Sequence, residues 1–358
     1  MKATRTGNRM DQRRMTADKN DWVEFAGSHL GFVGDPEFVH MCGDGSTRRF
    51  YRVRGLERPA VLMVNPRPPR HVIRNVDENE TWVYLAGLFA GISGGPPEVY
   101  GFDRERGLIL VEDLGDRLLQ AEVRERGAES DWTRRTYERL IELLVKLQVE
   151  GLRGLDVGRI FNRRYNDVFM YKWEGLYFAE HFLSRLCGLD SAPVKSDLDA
   201  LARAAGASFS RDVLIYRDFQ SRNIMLGPGD SLRLVDFQGA RPGPPAYDPA
   251  SLLYDPYVQL PDRLREELAG CYRTELARLD PAAADEFPAQ FPLIAAHRLM
   301  QALAAYAKLG LTDGKREFLR YTPQGLRDLK KILEREEFLP FGTLRDTVRA
   351  LDPALHTE

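Results

Sequence analysis

Cysteine is scarce in this 358-residue chain: Cys42, Cys187 and Cys271 are odd in number, far apart and without a C-x-x-C pair. That argues against a disulfide framework or a cysteine zinc site, and it suits a reducing cytoplasm, where the protein is expected. The six histidines, His29, His40, His71, His181, His297 and His356, show no metal-ligand spacing. No apolar run approaches the ~18–20 residues of a membrane span. The longest patches are short ones such as Leu85–Ile92, so no membrane partner is expected. Neither sign of charge dominates: Lys+Arg is 51 against Asp+Glu 53, for a net charge of −2. No global basic field therefore recruits nucleic acid. One further gap is local, since no lysine occurs between Lys19 and Lys146.

What is present is an ordinary globular balance, 43% hydrophobic and 29% charged. Such a length suggests two domains or one two-lobed enzyme with a large core, expected to act as a monomer. Residues 1–20 hold six basic side chains and no hydrophobic stretch, and read as a disordered basic tail rather than a signal peptide. Residues 21–114 read as a small β-rich lobe. Strands are predicted over Glu37–Cys42, Arg48–Arg54, Ala60–Val64, Glu98–Phe102 and Gly107–Glu112, with helices over Trp22–Leu30 and Asp77–Ala90. Residues 115–358 read as a mostly helical lobe. A helix follows the capping candidates Ser130 and Asp131, and an aromatic-rich one covers Asn166–Leu186. Short strands at Val213–Tyr216, Ile224–Leu226 and Leu232–Val235 interrupt the helices. The fold class is α+β.

Those short strands carry the chemistry. Asp218 follows the first, Asn223 precedes the second, and Asp236 ends the third. Strand ends hold side chains rigidly at a surface, as a catalytic constellation needs. Phosphoryl transfer from ATP requires a carboxylate that orients the acceptor hydroxyl and takes its proton. It also requires a neutral oxygen ligand and a second carboxylate for the magnesium that neutralises the phosphates. Asp218, Asn223 and Asp236 match those roles in order, Asp218 as the catalytic residue and the other two as metal ligands. Gly43, Asp44, Gly45, Ser46 and Thr47 lie between strands, where backbone N–H groups approach phosphates, although the same segment also reads as a plain hairpin turn.

The Arg217-Asp218…Ser221-Arg222-Asn223 loop, Asp236-Phe237-Gln238, Leu110–Asp116, Gly45–Val53, Gly243–Asp248 and Ala304–Phe318 together resemble the family of aminoglycoside phosphotransferases and choline kinases, relatives of the protein kinases. Within it, they are most similar to the bacterial N-acetylmuramate/N-acetylglucosamine anomeric kinases of cell-wall recycling. The resemblance covers roughly residues 22–335. It implies a protein-kinase-like bilobal fold, ATP and Mg2+ between the lobes, and a small sugar as acceptor. It also implies adenine contacts from the Glu112 carbonyl and the Leu114 amide.

The chain departs from the family pattern in three places. The third strand lacks the usual phosphate-binding lysine, and Arg48 or Arg49 is expected to supply that charge as a forked donor, or else to line an exposed strand face. Glu80, which would pair with such a lysine, pairs with an arginine or is solvated. Tyr216 and Gln220 stand where relatives carry histidine. On the acceptor side, Asp255 suits sugar hydroxyls or an amine, or caps a helix end. Arg217 and Arg222 hold the loop or contact an anionic acceptor such as a lactyl carboxylate. Two other functions stay open: an aminoglycoside- or choline-type kinase, and a nucleotide-binding pseudokinase.

Overall fold

The computed structural model describes residues 19–41, 48–66, 76–93 and 95–352, which divide into two compact units. Residues 1–18 of the basic tail, Cys42 and Gly43–Thr47 lie outside the described residues, whereas 19 and 20, read as part of that tail, open the first helix.

The first unit comprises described residues up to Ala90, with Pro96–Gly115 and Gly158–Phe161. The last of these segments returns to it from within the region read as the second lobe. Its frame is a five-stranded antiparallel sheet of β1 (Phe32–Met41), β2 (Arg49–Leu56), β3 (Ala60–Val64), β4 (Val99–Asp103) and β5 (Leu108–Glu112), in the order β1-β2-β3-β5-β4. Every residue of β3 is buried, so its unbroken Ala-Val-Leu-Met-Val run is what a central strand covered on both faces requires. Alternation puts Ala60, Leu62 and Val64 into one core with Trp22, Phe25 and Ala26 of α1, residues 19–29. Helix α2 (Glu78–Ser93) begins at a reciprocal cap. Asp77 accepts from the Glu80 amide at 2.8 Å, and Glu80 accepts from the Asp77 amide at 3.3 Å.

The second unit comprises Gly91–Gly95, Asp116–Val157 and the chain from Asn162 onward. Its helices are α3 (Leu119–Arg126), α4 (Asp131–Gly154), α5 (Asp167–Met170), α6 (Lys195–Ala207), α7 (Tyr247–Leu253), α8 (Asp262–Leu279), α9 (Pro281–Leu311), α10 (Thr322–Leu333) and α11 (Gly342–Ala350). Ser130 caps α4 by accepting from the Thr133 amide. Strand β6 (Val213–Ile215) pairs with β9 (Arg241–Gly243), and β7 (Ile224–Leu226) pairs with β8 (Leu232–Leu234), both antiparallel.

The helix expected over Asn166–Leu186 is one unbroken helical run capped by Asn166, in which α5 leads into π-helical turns at Tyr171–Gly175 and Phe178–Leu186. These wider turns bury Glu174, which accepts from the Tyr165 hydroxyl and, at 3.2 Å, from that of Tyr247. Among the described residues no helix is long and apolar enough to cross a membrane.

Candidate active site

The loop between β6 and β7 is built by alternation. Tyr216 and Phe219 are buried, with ring centroids 5.3 Å apart in an edge-on pair, and the buried ring of Phe237 lies 6.4 Å from Tyr216. Anchoring these rings leaves Arg217, Asp218 and Gln220 only partly buried. The Tyr216 hydroxyl donates to the Val235 carbonyl at 2.5 Å, and the Val235 amide to the Asn223 carbonyl at 3.0 Å. The residue before Asp236 is thus tied to both ends of the loop.

The three residues expected to carry the chemistry come together. The Asn223 amide nitrogen donates to the Asp218 carbonyl at 2.8 Å and to Asp236 Oδ2 at 3.4 Å. Gln238 donates to Asp236 Oδ1 at 2.7 Å. Asp236 itself is exposed with φ +66°, and Arg217 has φ +84°. Non-glycine residues pay of order 1–3 kcal/mol for such left-handed backbone and keep it where surrounding contacts impose it.

For Arg217 that contact is a buried carboxylate. Asp248 accepts the Tyr216 amide on Oδ2 and the Arg217 amide on Oδ1, each at 2.8 Å, and Gln148 at 2.9 Å. Burial pushes the Asp248 carboxyl up to about 6. Of the two sequence alternatives for Asp255, the contacts seen are the structural ones: it is buried, accepting the Ser221 amide at 2.8 Å and the Tyr257 amide at 2.9 Å, so its oxygens brace the loop. Arg222 sits over the rings of Tyr257 and Phe318, at 5.0 and 5.5 Å. Among the described residues, none partners the buried Arg217 Nε.

Sequence reading missed Arg298. It is 7% exposed on α9, yet its Nη2 reaches Asp218 Oδ1 and Gln220 Oε1, both at 3.4 Å. Its one signal in the sequence is a lone cation among apolar residues, Ala295-Ala296-His297-Arg298-Leu299-Met300.

The donor set suits magnesium. Among the described residues no group of three or more His, Cys, Asp or Glu side chains forms a protein cage. Magnesium usually takes one or two carboxylates and completes its shell with water and phosphate oxygens. The Asn223 amide nitrogen is turned to the Asp218 carbonyl and to Asp236 Oδ2, so the side-chain oxygen is the neutral ligand that Asn223 would offer and the exposed Asp236 carboxylate the charged one.

Of the expected nucleotide-binding residues, Arg48 is buried and ion-paired with Glu78 of α2, whereas Arg49 is exposed. Glu80 pairs with Arg104 at 2.7 Å. Glu112 ends β5, and the backbone leading through Leu114 is held from β2. Arg52 donates to both Asp113 oxygens at 2.6 and 3.1 Å and to the Gly115 carbonyl at 3.4 Å.

The fold is that of the kinase-like phosphotransferases. Residues 41–287 match the phosphotransferase enzyme family, to which this chain belongs. It is similar to the N-acetylmuramate/N-acetylglucosamine kinase of Pseudomonas aeruginosa, 28% identical over 91% of this chain and 94% of that protein. The protein of the same name from Neisseria meningitidis is 26% identical over 84% and 87%. Among solved structures, a choline kinase from Streptococcus pneumoniae superimposes with a TM-score of 0.58 at 12% identity, over 89% of this chain and 98% of that one. An ethanolamine kinase from Plasmodium vivax gives 0.57 at 15%, over 82% of each. At such identities the likeness is one of fold.

Proposed function

We propose that this protein is a cytoplasmic sugar kinase that moves the γ-phosphoryl group of ATP to the anomeric hydroxyl of N-acetylmuramate or N-acetylglucosamine. The observation that carries the reaction is the Asn223 amide, hydrogen-bonded to the Asp218 carbonyl and the Asp236 carboxylate. It gathers the residues read as base and metal ligands, Asp218 and Asn223 from the β6–β7 loop and Asp236 from just after β8. The names borne by the curated relatives support the acceptor.

Asp218 orients the sugar hydroxyl and accepts its proton as the oxygen attacks the γ-phosphorus. The new O–P bond forms in line with the breaking bond to the β-phosphate oxygen, and ADP leaves. Asn223 and Asp236 would hold magnesium, which neutralises phosphate charge when bound. On the donor side, Arg48 would answer the phosphates, residues 43–47, which lie outside the described residues, would supply backbone N–H groups, and the Glu112 carbonyl and Leu114 amide would take the adenine edge. Positioning and electrostatics supply most of the rate in this chemistry.

The test is a coupled ADP-release assay with and without magnesium, across N-acetylmuramate, N-acetylglucosamine, choline and kanamycin. Metal-dependent turnover on the two sugars, with phosphate appearing at the anomeric carbon by NMR, is expected. Asp218→Asn should lower kcat by ~10²–10⁴. Turnover on choline or kanamycin alone would overturn the acceptor, and nucleotide binding without turnover on any of them would favour a pseudokinase.

A further inference from the structure

Arg298 is a buried cation fixed on both sides. Its Nε donates to Ser251 of α7 at 3.0 Å and its Nη1 to Gln301, one turn further along α9. Nη2 then bridges Asp218 Oδ1 and Gln220 Oε1. Among the described residues Asp218 is the carboxylate within ion-pair distance of this guanidinium. A buried charge needs a partner, and the partner here is the group read above as the base. Lysine cannot reproduce the arrangement, because only a planar fork reaches a hydroxyl, an amide and a carboxylate in fixed directions.

We propose that Arg298 is a positioning residue for phosphoryl transfer. It holds one oxygen of Asp218, with Gln220 as second anchor, so that the other carboxylate oxygen meets the acceptor hydroxyl in a single rotamer. The Asp218 side chain is 29% exposed, leaving room for that contact. The proposal rests on the kinase reading above. The nucleotide is not touched by Arg298 in this scheme, so the effect belongs in kcat.

The test is a double-mutant cycle of Arg298→Met with Asp218→Asn, plus Arg298→Lys, each with its Tm recorded. Arg298→Met should lower kcat by ~10–100-fold, the cost of misplacing a reacting group by about an ångström, with the ATP KM nearly unchanged. Arg298→Lys, which keeps charge and volume for folding, should fall between it and wild type. In the Asp218→Asn background, Arg298→Met should cost little more, because residues acting through one another are non-additive. Full multiplication of the two defects, or wild-type kcat in Arg298→Lys, would overturn the assignment while leaving the kinase reading intact. A wild-type protein silent on every acceptor would overturn both.

Discussion

Asp248 holds Arg217 in a backbone conformation that arginine seldom adopts: its Oδ1 accepts the Arg217 amide at 2.8 Å where φ is +84°. The loop bearing Asp218 is therefore shaped from α7, behind it. Asp248→Asn keeps the volume but sets an amide donor against an N–H group. A buried donor left unmatched costs about 1–3 kcal/mol. A lower Tm and a ~10–100-fold loss in kcat are expected, with nucleotide-induced thermal shift retained.

The same carboxyl makes a pH prediction. Burial raises its pKa from 3.8 to about 6, so the folded protein takes up this proton before the unfolded chain does. Between about pH 6 and pH 4 the group therefore adds no acid instability. Protonation does weaken the acceptor that shapes the loop. An acid limb in kcat near pH 6 is expected, and its persistence in Asp248→Asn would exclude this group as the source.

His297 behaves in the opposite sense. Burial drives its pKa from 6.5 down to about 4, so the unfolded chain binds a proton that the folded one refuses. Stability on this account falls as pH drops from 6.5 towards 4, by up to ~3 kcal/mol. Glu174, 3.8 Å from the ring and raised to about 6 by burial, works against it. Replacing His297 with Asn should flatten the acid decline in Tm; parallel Tm–pH curves would contradict this.

Arg48 and Arg49 should separate cleanly. Arg48 is buried and held by Glu78, while Arg49 is exposed. If Arg48 takes the place of the strand lysine, Arg48→Met should raise the ATP KM by about tenfold or more, the worth of a charge-assisted contact. Arg49→Met should leave it near wild type. Equal effects in steady-state kinetics would remove the distinction.

Arg217 offers a readout of acceptor charge. Its Nε is buried and has no hydrogen-bond partner among the described residues, an uncommon state for a donor. If an acceptor carboxylate completes it, Arg217→Met should reduce kcat/KM for N-acetylmuramate about tenfold more than for N-acetylglucosamine, which lacks that group. An unchanged ratio would assign Arg217 to the loop alone.

The sequence revealed most where local rules decide. The apolar run Ala60–Val64 reads directly as a central strand, and Ser130 marks the start of α4. The spacing of Asp218, Asn223 and Asp236 is legible because short flanking strands bring them together within one stretch of chain. The two alternatives for Asp255 stay undecided in the sequence because its neighbour in space, Ser221, lies 34 residues earlier. Arg298 was invisible for the same reason, meeting Asp218 across 80 residues. The π turns escaped because helical periodicity does not register one added residue per turn; only the packing of Glu174 against Tyr165 and Tyr247 makes that register worthwhile.

A central strand walled in by Ala60, Val61, Leu62, Met63 and Val64 has a practical corollary for chemical labelling. Electrophilic nucleotide analogues that tag kinases by acylating an amine beside the phosphates meet none between residues 20 and 145 of this chain. If Arg48 meets the donor phosphates as proposed, reagents selective for guanidines would report donor occupancy here.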